Sequence, residues 1–113
     1  MPGSYAPPKG CILLAEYQHQ PAGCVALREL DGGICQMKRL YVRPQLRNLG
    51  VGNKLVEGII GKGQELGYHC MRLNTNRLLD SALKLYASLG FKEIEPFEQP
   101  LTKTSVFMEL KLV

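Results

Sequence analysis

The chain has 113 residues, of which 45% are hydrophobic and 21% charged, a size and composition typical of one soluble globular domain. No apolar run approaches the roughly 20 residues that span a bilayer, and the N-terminus lacks a basic region followed by an apolar core, so we expect a cytoplasmic protein without a membrane partner. The formal net charge of +4 is spread along the chain without a basic run, which favours a solvated surface over a nucleic-acid partner.

The first part of the chain predicts an antiparallel meander. Residues 1–9 are rich in Pro, Gly and Ser and predict an extended arm. Strands are predicted over 11–17, 22–30 and 34–42, with a turn at 18–21 between the first two. Asp31-Gly32-Gly33 is a hairpin signal between the second and third strands, and Pro44 ends the third.

An Arg-x-x-Gly-x-Gly turn then leads into the first predicted helix, over 50–66. Its residues are Arg47, Gly50 and Gly52. A helix N-terminus presents unpaired backbone N–H groups in front of the positive end of the helix dipole, a geometry that binds phosphate. Arg47 and Lys54 add positive charge on either side. A Walker-type phosphate loop is excluded, because the turn lacks the Gly-Lys-Ser/Thr ending.

The remaining elements complete an α/β (α+β) domain. The helix carries Gly58, Gly61 and Gly63, which fit either close packing against a sheet or a frayed last turn. A strand over 70–74 follows, and a strand after a helix implies parallel pairing. A second helix is predicted over 80–89, a strand over 91–94, a loop over 95–104 and a strand over 105–112. The order β-β-β-α-β-α-β-β predicts a mixed, mostly antiparallel twisted sheet with two helices.

The cysteines and histidines do not predict a metal centre or a disulfide framework. None of the four cysteines belongs to a Cys-x-x-Cys pair, and each lies in or beside a predicted strand, so we expect them to be small buried hydrophobic residues. The two histidines, His19 and His69, are far apart in the sequence. We therefore expect no bound metal.

Three stretches together resemble the GNAT superfamily of acetyl-CoA-dependent N-acetyltransferases. They are Met-Lys-Arg-Leu-Tyr-Val-Arg-Pro over 37–44, Arg-Asn-Leu-Gly-Val-Gly over 47–52, and Ala-Leu-Lys-Leu-Tyr-Ala-Ser-Leu-Gly-Phe over 82–91. The resemblance extends over nearly all of the chain and implies the acyl-CoA N-acyltransferase fold, with acetyl-CoA as the cosubstrate. It also implies an amine acceptor, a small molecule or a peptide, that the sequence does not identify.

The resemblance implies roles for individual residues. The backbone of Leu40, Tyr41 and Val42 would pair with the pantetheine arm, and the N–H groups of the glycine turn would hold the pyrophosphate. The cofactor-binding residues so implied are Leu40, Tyr41, Val42, Arg47, Asn48, Leu49, Gly50, Val51, Gly52, Asn53 and Lys54. Tyr86 matches the tyrosine that protonates the departing thiolate, although its helical spacing alone fits a core residue equally well.

The chain departs from the family pattern in three places. Gln36 stands where a glutamate general base is usual, so a water or another carboxylate such as Glu29 would have to deprotonate the amine. Leu79 replaces an asparagine that is frequent seven residues before the tyrosine. The first strand and two helices of the family have no counterpart, so we expect residues 1–113 to form one truncated domain. The vacated sheet edge and face predict a homodimer or larger assembly.

Two functions from different classes stay open at this point. The chain is either an N-acetyltransferase in which the amine attacks the thioester directly, or a non-catalytic CoA-binding or homo-oligomeric assembly module. The phosphate-binding turn and Tyr86 favour the enzyme. Gln36 and the missing segment favour the module.

Overall fold

The computed structural model describes residues 9–113, so the predicted arm lies outside the described residues except for Lys9. The strands are β1 (Cys11–Tyr17), β2 (Gln20–Asp31), β3 (Ile34–Val42), β4 (Cys70–Asn76), β5 (Lys92–Ile94) and β6 (Ser105–Lys111). The helices are α1 (Val51–Glu65) and α2 (Asp80–Ser88), and a short 3-10 helix (Pro44–Leu46) follows β3. The predicted element order is confirmed, and the 3-10 helix is an addition to it.

Within residues 9–113 the strands form one six-stranded sheet in the order β1-β2-β3-β4-β6-β5. In the described part of the chain only β3 and β4 are parallel neighbours, as the intervening helix α1 predicts, and the other neighbouring pairs are antiparallel. The hairpin between β2 and β3 pairs Asp31 with Ile34 across Gly32 and Gly33. Gly33 has φ of +77°, a conformation that glycine adopts without strain, which is why this pair of glycines makes a tight turn here.

Both helices contribute to one hydrophobic core on one face of the sheet, which we call the helix face. A Cβ atom added to Gly63 of α1 would lie 3.1 Å from Met71 Cε and 3.5 Å from Cys35 Sγ, and one added to Gly58 would lie 3.1 Å from Leu13 Cδ1. Close packing against the sheet therefore explains these two glycines. Gly61 faces open space, with no atom within 4 Å of such a Cβ.

The opposite face of the sheet, which we call the open face, follows from the alternation of side chains along each strand. Met71 lies against α1, so Arg72 and Asn74 project on the other side, next to their antiparallel partners on β6. The loop 95–104 packs there through Phe97. The Phe97 ring meets the Phe107 ring edge to face at 5.1 Å between centroids, and the Arg72 guanidinium lies 5.5 Å from the centroid of Phe97.

The two parallel strands separate in the middle of the sheet. β3 pairs with β4 only from Ile34 to Gln36, whereas β4 stays paired with β6 as far as Asn76. Beyond Gln36, β3 continues beside β2 alone and ends with Val42. The divergence leaves a cleft between the carboxyl ends of β3 and β4. No helix within residues 9–113 is long and apolar enough to cross a membrane.

Candidate active site

Two adjoining cavities occupy the cleft. The inner cavity, about 420 Å³, lies between β3 and β4 and is lined by residues that include Met37, Asn74 and Tyr86. The outer cavity, about 840 Å³, lies between the glycine turn and the start of α2. Three residues line both cavities, namely Leu40, Leu79 and Ala82. A ligand of extended shape can therefore run from the glycine turn to the ring of Tyr86.

The outer cavity collects most of the residues predicted to bind a cofactor. Those in its wall are Leu40, Tyr41, Val42, Arg47, Asn48, Gly50, Gly52 and Asn53. The other three lie outside the wall: Leu49 and Lys54 are exposed to solvent, and Val51 is buried in the core. If Val51 takes part in binding, it can do so only through its backbone N–H group.

The glycine turn leaves backbone donors without intrahelical partners beside the outer cavity. Asn48 has φ of +66° and Gly50 has φ of +84°, so the chain reverses sharply before α1 begins at Val51. Gly50 caps the helix without a side-chain hydrogen bond, and Lys54 is the first residue whose N–H donates to the Gly50 carbonyl, at 3.1 Å. The N–H groups of the first helical turn before Lys54 therefore have no partner within the helix and are free for an anion.

The described residues leave room for a side chain at Gly52. A Cβ atom at this position would make ordinary contacts of 3.7 Å with Val42 and 3.8 Å with Leu85, so the protein itself does not require glycine there. Gly52 nevertheless lines the outer cavity, where a side chain would occupy ligand space. The missing side chain is thus best explained by a ligand that approaches the backbone closely.

The charge around the turn favours an anionic ligand. Arg47 donates a hydrogen bond from Nε to the Val42 carbonyl at 3.1 Å, which holds its exposed guanidinium beside the end of β3. The first turn of α1 has no acidic residue. Asp80, the one carboxylate in the wall of the outer cavity, is paired with Lys84 at 3.0 Å.

The edge of β3 that faces the cleft has no neighbouring strand in the described sheet, and its Val42 carbonyl is already paired with Arg47. Because β4 leaves β3 after Gln36, the segment that ends with Leu40, Tyr41 and Val42 has no strand on its cleft side. These three residues lie in the wall of the outer cavity, and Leu40 continues into the inner one. An extended ligand can therefore pair with β3 as an additional strand would.

Tyr86 occupies the inner end of the cleft on the helix face. Its side chain is only 6% exposed, and burial raises the pKa of its hydroxyl to about 12. The hydroxyl has no hydrogen-bond partner within residues 9–113 and is not fully enclosed, since no buried polar side-chain atom there lacks a partner. Tyr86 is thus both a core residue and a wall of the cavity, and at neutral pH it is a proton donor.

A polar cluster lies where β3 and β4 separate, on the open face. Gln36 is fully buried, and its Oε1 accepts hydrogen bonds from Nε and Nη2 of Arg28 at 3.1 and 2.9 Å. Its Nε2 donates to Oε2 of Glu98 at 3.4 Å, and Nδ2 of Asn74 donates to the same oxygen. The loop 95–104 therefore places the Glu98 carboxylate beside Gln36, the residue that stands where a glutamate was expected.

Glu29, the carboxylate suggested from sequence, lies elsewhere. It pairs with Lys9 at 3.2 Å and is the cross-strand neighbour of Cys35, whose side chain packs on the helix face. Glu98 could not be singled out from sequence, because the prolines of its loop fix no regular structure from which its position could be derived.

Leu79 has a structural position that sequence alone did not give. It is the N-cap of α2, makes no side-chain cap hydrogen bond and contributes to the walls of both cavities. Within residues 9–113 no three His, Cys, Asp or Glu side chains come together in a group that could hold a metal ion.

Comparison with known proteins gives consistent matches. Residues 8–93 match the family model of the acetyltransferase (GNAT) domain. An uncharacterized N-acetyltransferase of Schizosaccharomyces pombe is 44% identical over 110 residues, which cover 96% of this chain and 68% of that protein. In three other curated relatives the match covers between 37% and 62% of the relative's length.

Solved structures share the fold. A GNAT family acetyltransferase from Staphylococcus aureus superposes with a TM-score of 0.83 at 28% identity, and the match covers 98% of this chain and 73% of that one. A GNAT family acetyltransferase from Elizabethkingia anophelis, solved with acetyl-CoA bound, superposes with a TM-score of 0.78 at 21% identity and covers 91% of this chain and 76% of that one.

Proposed function

The chain belongs to the acetyltransferase (GNAT) domain family, and from this premise we propose that it is an acetyl-CoA-dependent N-acetyltransferase acting on an amine. The observation that carries the proposal is the continuity of the two cavities, which run from the glycine turn to Tyr86. A cleft that only bound phosphate would not need a buried proton donor at its far end. The acceptor is a small-molecule or peptide amine whose identity stays open.

The outer cavity binds the cosubstrate in this proposal. The free N–H groups of the first turn of α1 hold the pyrophosphate, with Gly52 allowing close approach and Arg47 adding charge. The pantetheine arm lies along the open edge of β3 at Leu40, Tyr41 and Val42. Lys54 is exposed and lies outside the wall of the outer cavity, so it contributes only long-range attraction.

The inner cavity is where the acetyl group is transferred. The amine nitrogen attacks the thioester carbonyl carbon, a C–N bond forms and the C–S bond breaks. The Tyr86 hydroxyl gives its proton to the leaving sulfur and regains one from the nitrogen, so that the tyrosine is unchanged at the end. Burial raises the pKa of Tyr86 to about 12, so the hydroxyl carries its proton at neutral pH, as a proton donor must.

A non-catalytic CoA-binding or assembly module is the second candidate, and the observation that favours it is Gln36. An amide cannot accept the proton of an ammonium ion, and Gln36 is locked by Arg28. Both candidates need the outer cavity to bind acetyl-CoA, but only the enzyme needs an acceptor.

Self-association is part of the proposal. β1 forms one edge of the described sheet, and its side chains Ile12 and Leu14 are 57% and 80% exposed. An edge strand that carries exposed apolar side chains is a template for pairing with a second copy. We therefore propose a homodimer formed through β1.

Two measurements test the function. At a 1,000-fold excess over its dissociation constant, acetyl-CoA should stabilise the protein by about 4 kcal/mol in thermal unfolding, and absence of any shift would contradict both candidates. Thiol release is then followed with a panel of 2-phenylethylamine, spermidine, L-lysine and the peptide Ala-Ala-Ala. Release that depends on an amine identifies an enzyme, whereas binding without release for every amine favours the module.

A further inference from the structure

We propose that Glu98 is the catalytic base that takes the first proton from the acceptor amine, a role that rests on the acetyltransferase function proposed above. Gln36 cannot perform this step, and Glu29 is paired with Lys9 and lies away from the open-face cluster. Glu98 comes from the loop 95–104, not from the strand that carries Gln36.

The position of Glu98 relative to the cleft is the first argument. Its Oε2 accepts hydrogen bonds from Gln36, the last residue of β3 that pairs with β4, and from Asn74, which lines the inner cavity. The carboxylate therefore lies at the point where the two strands separate. Its second oxygen, Oε1, has no hydrogen-bond partner within residues 9–113, and the side chain is only partly buried. This oxygen is available to accept a proton from an amine that lies beside Asn74.

The orientation of the carboxylate is fixed by its surroundings. Two hydrogen bonds from Arg28 hold Oε1 of Gln36 and so turn the Gln36 amide nitrogen toward Glu98. Phe97, the preceding residue, is anchored between Phe107 and Arg72. Gln36 and Asn74 are thus positioning residues, and they hold the Glu98 carboxylate beside Asn74, which lines the inner cavity.

The charges around Glu98 leave it available to a cation. Arg28 is engaged by Gln36, and Arg72 is paired with Glu109 at 2.8 Å while it stacks on Phe97. Within residues 9–113 no salt bridge includes Glu98. An alkyl ammonium ion is therefore the natural partner of this carboxylate, which both attracts the acceptor and deprotonates it.

Tyr86 lines the inner cavity from the helix face, and Glu98 contacts Asn74 of its wall from the open face, so the two protons of the reaction leave in two directions. Glu98 takes one proton from the ammonium ion on the open face, and the resulting amine attacks the thioester carbon. The nitrogen gives its second proton to Tyr86 on the helix face as Tyr86 protonates the sulfur. After product release Glu98 passes its proton to solvent, and the sum is one amide, one thiol and one released proton.

The test compares Glu98→Gln with Glu95→Gln, an exposed glutamate of the same loop. The probe is whichever amine among 2-phenylethylamine, spermidine, L-lysine and Ala-Ala-Ala releases thiol fastest with the unchanged protein. At neutral pH, Glu98→Gln should lower kcat/KM by about 100-fold or more, Glu95→Gln should not, and both should keep the thermal shift with acetyl-CoA. For an alkyl amine, raising the pH toward about 10 should reduce the loss in kcat/KM that Glu98→Gln causes, because the amine then loses its proton to solvent.

A double variant that exchanges the side chains of residues 36 and 98 tests whether the lost rate can be recovered. Gln36→Glu combined with Glu98→Gln keeps one carboxylate and one amide in contact and should recover part of the lost rate, whereas Gln36→Glu alone places two carboxylates together and should not raise it. A Glu98→Gln rate close to that of Glu95→Gln, or an equal loss at every pH, would overturn the role of Glu98 while leaving the acetyltransferase intact. If acetyl-CoA binds but none of the four amines causes thiol release, the proposed function is overturned, and the role of Glu98 with it.

Discussion

The ring of Tyr86 packs edge to face against the ring of Phe91, with the centroids 5.8 Å apart and the planes at 62°. The backbone reinforces this contact, because the N–H of Phe91 donates to the carbonyl of Tyr86 at 3.0 Å just after α2 ends. The position of the Tyr86 ring therefore depends on packing and on the helix end. It does not depend on the hydroxyl, which can be removed without moving the ring.

Tyr86→Phe should consequently separate catalysis from folding. We expect kcat to fall by about 100-fold or more, because the leaving thiolate loses its proton donor, while the free energy of unfolding changes by less than about 1 kcal/mol. The control is Tyr68→Phe, since the Tyr68 hydroxyl donates to the Lys9 carbonyl and does not line either cavity. That variant should lose about 1 kcal/mol of stability and keep its rate. Thiol release by Tyr86→Phe at the rate of the unchanged protein would remove Tyr86 from the mechanism.

Gly52→Ala should weaken acetyl-CoA binding without destabilising the fold. The added methyl group meets only ordinary contacts in the protein, and Ala is favoured over Gly in a helix by up to about 1 kcal/mol, so unfolding should become slightly harder. The same methyl group projects into the outer cavity and should raise the dissociation constant measured by titration calorimetry.

Gly61→Ala is the matched control for that prediction. Gly61 is in the same helix, faces open space and lies outside both cavities. It should show the gain in stability with unchanged affinity. Equal affinities for the two variants would mean that the ligand does not approach the backbone at Gly52.

The free energy of unfolding should fall as the pH rises into the alkaline range. Burial raises the pKa of Cys35 to about 12 and that of Tyr86 to about 12, above the ordinary values of 9.0 and 10.0 that apply in the unfolded chain. Between those values the folded protein binds more protons than the unfolded chain. The stabilisation is therefore complete below the unfolded pKa and is lost as the pH rises, by up to about 1.4 kcal/mol per pH unit for each group.

Urea unfolding between about pH 8 and pH 11 measures this loss. Cys35→Ser removes one titrating group while keeping a small hydroxyl that can donate to the Cys70 carbonyl, as the thiol does at 3.5 Å. The dependence on pH should become shallower in this variant. An identical slope with and without the Cys35 thiol would show that the group does not titrate in the assigned window.

The order of the elements was predictable because strong local signals mark each boundary. β1 and β3 have the predicted limits, and the glycines that follow Asp31 form the hairpin that their sequence indicates. β2 and β4 each extend beyond the predicted limits at one or both ends. Those extra residues are polar or turn-like in sequence, and their pairing with neighbouring strands, which local pattern does not report, makes them strand.

The candidate site could be predicted from sequence only where one continuous segment of the chain contains its residues. The glycine turn combines a strand end, a turn and a helix N-terminus within a few residues, and eight of the residues expected there line the outer cavity. Glu98 is different, because its place beside Gln36 depends on contacts that span 62 positions in the chain and on the anchoring of Phe97. Tertiary packing of an irregular loop leaves no periodic signal, so the open-face cluster could be found only in the structure.

Leu14→Lys should disrupt the proposed homodimer. Leu14 of β1 pairs with Cys24 of β2, the one neighbour of β1 in the described sheet, and is 80% exposed. A charge at this position therefore opposes edge-to-edge association without entering the core. We expect the unchanged protein to have the mass of a dimer in light scattering at micromolar concentration and Leu14→Lys to have that of a monomer. Leu66→Lys, an exposed leucine at the end of α1, is the control and should remain dimeric. A monomeric mass for the unchanged protein, or an unchanged mass for Leu14→Lys, would mean that β1 is not the interface.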